Sequence, residues 1–149
     1  MIDDTILSRL QRYHDDIVAR IAASVAVIEA DNLSSLSILS ARRWQMVRLL
    51  REYQIFKHSR IFDPAIANGS PSEVVAAREM KNNCIAMGNA FSSYVKLWSS
   101  GLITTSWEDY RIAMREMSAL LTRHVKFERR NVEALLSVPN TNPRRYSGS

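Results

Sequence analysis

The chain has 149 residues, 46% of them hydrophobic and 23% charged, with four glycines and four prolines, which is the composition of a single globular domain. No apolar run approaches the roughly 18 residues that cross a bilayer, so a membrane protein is not expected. The formal charge is +5, but the basic residues are dispersed in small groups (Arg42, Arg43, Arg48 and Arg51; Lys126, Arg129 and Arg130; Arg144 and Arg145) rather than interleaved with aromatics, which favours an acidic protein partner over nucleic acid.

The opening segment MIDDTILSRL is acidic where a secretory signal would be basic. Together with the lone Cys84, which has no internal disulfide partner, it predicts a cytoplasmic protein. A first helix is predicted from Asp3 or Asp4, whose carboxylates suit a helix N-terminus, to about Ala30. The polar break DNLSSLS (31–37) supplies caps for a second helix, which runs to about Ala67 with a kink at Pro64. NGSPSE (68–73) then ends one helix and starts the next. Asn68 and Gly69 suit a C-terminus, Ser70 an N-cap, Pro71 the first helical position, and Glu73 the closing member of a capping box. The third helix extends to about Ser99 and stops at Gly101. TSWE (105–108) opens a fourth that ends before Pro139. Residues 1–138 thus read as an all-α, up-down-up-down four-helix bundle, followed by a disordered polar tail over 139–149.

Helices crossing at shallow angles bury a seam of alternating three- and four-residue steps. On the fourth helix the seam reads Trp107, Tyr110, Met114, Met117, Leu121, His124, Glu128, Asn131 and Leu135, so the histidine and glutamate of HVKFE are predicted to point inward. The first helix gives Leu7, Leu10, His14, Ile17 and Ile21, and the third Ala77, Met80, Cys84, Met87 and Phe91. The second reads less cleanly as Trp44, Val47, Arg51, Gln54, His58 and Ile61. There, either Arg51 meets a buried acid or the helix rotates and exposes it. At 1.5 Å per residue, His14, His58, Cys84 and His124 fall at similar depths, within about one turn. A buried carboxylate among imidazoles needs a neutralising charge, and a metal ion held by His14, His58, His124 and Glu128 would supply it.

YHDDIVARI (13–21) and HVKFERRNVEALL (124–136) resemble the first-helix and closing H-x-x-x-E segments of the hemerythrin-like (HHE) cation-binding family. The resemblance spans roughly residues 3–137 and implies a four-helix bundle with a non-haem iron centre near one end, with His14, His124 and Glu128 as ligands. It implies oxygen, nitric oxide or redox sensing, iron handling or signalling as the role. Two segments depart from the family pattern. QIFKHSRIFDP (54–64) puts Gln54 where histidine is expected and His58 where glutamate is, and MKNNC (80–84) offers Met80 and Cys84 as substituted ligands. Four good ligands fall short of the six or so of a di-iron centre, so the expected site is altered, with mononuclear iron, zinc or manganese. No nucleophile elbow, phosphate loop or Cys-x-x-Cys pattern is present, which argues against an enzyme. The alternative is a metal-free bundle, its polar groups hydrogen-bonded to one another, that regulates a protein partner.

Overall fold

A computed structural model describes residues 4–30, 36–99 and 102–137. Of the predicted break at 31–37, residues 31–35 lie outside the described residues and Leu36 and Ser37 already belong to a helix; the stop at Gly101, the tail at 139–149 and Asp3 also lie outside them. The described chain is all helix: α1 (Asp4–Glu29), α2 (Leu36–Lys57), a π turn (His58–Phe62), α3 (Asp63–Asn68), α4 (Pro71–Trp98), α5 (Leu102–Thr105) and α6 (Trp107–Ser137). The long helix α6 packs on α1 and α4, α2 packs on α1, and α3 lies on α4. The short α5 is an element that the sequence reading did not anticipate.

The start of α4 forms as its sequence dictates. Ser70 Oγ accepts from the Glu73 N–H at 3.4 Å while the Ser70 N–H donates to Glu73 Oε1 at 3.1 Å, closing the capping box ahead of Pro71. Gly69 is extended (φ −76°, ψ 168°), so it is not there for left-handed freedom. Its N–H bonds the Ala65 carbonyl at 2.8 Å, and an added Cβ would stand 2.4 Å from that same oxygen. Close approach, not φ, selects glycine.

Two apolar clusters fill the interior. The larger joins Leu10, Ile17, Tyr53, Phe62, Ala77 and Val125, and the smaller joins Ile28, Leu39, Trp98, Ile103, Tyr110 and Met114. On α1 and α4 the buried residues follow the predicted seams; on α6 they do so as far as Leu121, after which Val125 and Val132 are buried while the predicted His124 and Asn131 are only half-buried beside them. On α2 they do not follow them. Trp44 is 50% exposed and Arg51 is exposed, whereas Leu39, Met46, Tyr53, Phe56 and Lys57 are buried. The inward seam is Leu39-Met46-Tyr53-Lys57, one residue out of step with the predicted one, and it settles the choice left open for Arg51.

The slip has a local cause. Pro64 carries no N–H, and in a regular helix its ring would collide with the carbonyl of Arg60. The backbone bulges instead: the Asp63 N–H reaches back five residues to the His58 carbonyl, and the chain gains one residue in a π turn. One extra residue rotates everything upstream by about 100°. Ile61 and Phe62, past the start of the turn, are buried, while His58 is only half-buried and Lys57 takes the inward position.

Candidate functional site: a buried lysine–glutamate pair beside an open groove

Glu128 points inward from α6, as its register requires, and is 4% exposed. The group opposite it is a lysine. Lys57, 2% exposed, donates from Nζ to Glu128 Oε1 at 2.5 Å and to Cys84 Sγ at 3.2 Å, and its ammonium lies 4.0 Å from the centre of the Tyr53 ring. The carboxylate, the thiol and the aromatic face together surround the ammonium. His124 Nε2 stands 3.5 Å from Glu128 Oε2, too long for a full hydrogen bond, and Oε2 and the Tyr53 hydroxyl are buried without hydrogen-bond partners.

The charges set the titration of the cluster. Burial pushes the Glu128 carboxyl up, but His124 and the Lys57 ammonium outweigh it and hold the group below the usual carboxylate value. Burial raises the Cys84 thiol, with Lys57 opposing, and keeps it protonated. Burial and then the negative charge of Glu128 raise the Tyr53 hydroxyl well above its ordinary range. His58 is lowered by burial and by the cations of Lys81 and Lys57.

The sequence-predicted ligands occupy different surroundings. His14 is buried, but its Nδ1 accepts from Arg129 at 3.2 Å and lies 3.3 Å from Asp15, while its Nε2 has no partner. His58 packs on Phe62 from the π turn, with an unpartnered Nε2. Met80 belongs to the larger apolar cluster, and the Gln54 amide lies where a Cβ added at Gly88 would meet it, at 3.5 Å. Of the predicted set, Cys84, His124 and Glu128 gather around Lys57; Gln54 lines the same groove as Lys57, Cys84 and His124, and Met80 lines a second hollow with His124 and Glu128. Among the described residues no three His, Cys, Asp or Glu side chains are grouped to hold an ion. The premise that Glu128 lacks a counter-charge is therefore corrected: Lys57 provides it. The donor set does not fit a metal, because a cation bound to Glu128 would sit against an ammonium that already uses the same carboxylate.

Beside the pair lies an open groove of about 620 Å³ between α2, α4 and α6. Tyr53, Lys57, Cys84 and His124 line it together with Val47, Phe91, Val95 and Leu121, and Trp44, Arg51 and Lys96 are exposed lining residues on its rim. No family model, curated protein or solved structure matches the chain. No described helix is long and apolar enough to cross a membrane.

The sequence reading missed Lys57 and Tyr53. A signal for both was present: the steps Leu39, Met46, Leu50, Tyr53 and Phe56 carry more apolar bulk than Trp44, Val47, Arg51 and Gln54, and Pro64 marks where one register gives way to the other.

Proposed function

We propose that the chain is a hemerythrin-like, up-down-up-down bundle in which a lysine takes the position of the metal centre, and that it acts as a non-catalytic, regulatory binding module. The observation that carries this reading is the ammonium of Lys57, buried and bonded to Glu128 and Cys84. A buried carboxylate must be compensated, and here the compensation is covalent to the chain. The groove beside the pair offers a binding surface that does not require a metal.

A second reading, a mononuclear iron, zinc or manganese site that responds to oxygen, nitric oxide or redox state, draws support from three buried and unpartnered ligand-type atoms: Nε2 of His14, Nε2 of His58 and Oε2 of Glu128. Elemental analysis separates the two. Protein from cells grown with added iron, zinc and manganese is expected to carry far less than one metal per chain. Its melting temperature should not move when Fe²⁺, Zn²⁺ or Mn²⁺ is added, since a ligand selective for the folded state must stabilise it. One equivalent of metal that disappears in His124→Ala would sink the proposal in favour of the second reading.

A further inference from the structure

We propose that the groove between α2, α4 and α6 binds a small amphipathic carboxylate, with its apolar chain along Val47, Phe91, Val95 and Leu121 and its head group between Arg51 and Lys96. The inference rests on the metal-independent reading above and names the ligand class of the same site.

Charge identifies the head group. The groove-lining residues include Arg51, Lys57 and Lys96 and no aspartate or glutamate. Lys57 is neutralised from behind by Glu128. Arg51 and Lys96 are exposed and take part in no ion pair among the described residues. Two uncompensated cations on the rim of an apolar trough attract an anion and leave an amine unpaired. Arginine in particular offers a carboxylate two parallel donors.

Size and lining identify the rest of the molecule. About 620 Å³ falls inside the range of roughly 300–1,000 Å³ that holds small ligands. The gap exists because α2 and α4 touch each other only sparingly, with Gly88 and Ser92 presenting little bulk to it. Tyr53 and Lys57, both buried, close the inner end of the groove.

Decanoate is the first probe, with decanol and decyltrimethylammonium as neutral and cationic controls of equal chain length. Trp44 lines the groove, so its fluorescence reports occupancy, with Trp44→Phe as the blank for Trp98 and Trp107. Saturable one-to-one binding of decanoate is expected, at least about tenfold tighter than either control. Arg51→Glu/Lys96→Glu should remove that preference without touching the core. Gly88→Phe fills the groove, and the new Cβ meets only the Gln54 amide at ordinary contact distances, 3.5 Å and beyond, so the fold should hold while binding is lost. No saturation below the micellar concentration, equal binding of all three probes, binding that survives Gly88→Phe, or a dimer that excludes decanoate would each overturn the inference. Metal content measured on the same samples keeps the two proposals apart. Metal-free protein that ignores decanoate defeats the carboxylate site alone, whereas stoichiometric metal defeats the reading beneath it.

Discussion

Lys57 is the residue on which the interior depends. Removing one member of a buried ion pair leaves the other charge stranded, at a cost of about 3–5 kcal/mol, whereas replacing both by apolar groups of similar volume is close to neutral. Lys57→Met is therefore expected to lose about that much stability in urea denaturation, and Lys57→Met/Glu128→Leu to regain most of it. A double variant no more stable than the single one would mean that the pair is not the unit described. pH acts in the same direction at two residues. His58 is held below its ordinary value of 6.5, so the unfolded chain binds a proton that the folded ring resists. Its contribution is complete above that value and declines as pH falls through it. Glu128 is held below 4.5 in the folded state, so its contribution persists down to that value and disappears as pH falls further. Urea midpoints should therefore fall in two stages on acidification, the first absent in His58→Asn.

At the scale of elements, the π turn decides what faces the centre. Deleting the exposed Ser59 is expected to restore an unbroken α register and return the proline clash, at about 3 kcal/mol. Adding Pro64→Ala to the deletion should relieve it and leave the Lys57–Glu128 pair in place. Urea denaturation of both variants checks this, and equal stability of the two would exonerate the proline. The capping box is a separate device: Ser70→Ala should cost about 1 kcal/mol, read as a shift in the same urea midpoint. These elements also show how much the sequence made legible. Apolar spacing alone placed His14 on α1, Cys84 on α4 and Glu128 on α6, although beyond Leu121 the buried positions of α6 move one residue on, to Val125 and Val132, and leave His124 half-buried. It failed on α2, where a periodic rule was carried across a turn that adds a residue. His58 was placed inside because the rule fits downstream of it, and Lys57 was overlooked because a lysine is expected at the surface. The ion pair and the groove depend on how side chains meet across helices, which periodicity within one helix does not encode.

For the molecule as a whole, the loose approach of α2 to α4 is what turns a helical packing into a place where something else fits. The same looseness leaves the rim cations without partners, so the apparent affinity for decanoate should weaken as ionic strength rises, as expected for exposed charges. A salt-independent titration would mean that the head group is not read by charge.

The cation that faces Glu128 is part of the chain itself. It is delivered by translation, so it cannot be stripped by a chelator, starved by a growth medium, or changed in valence by an oxidant.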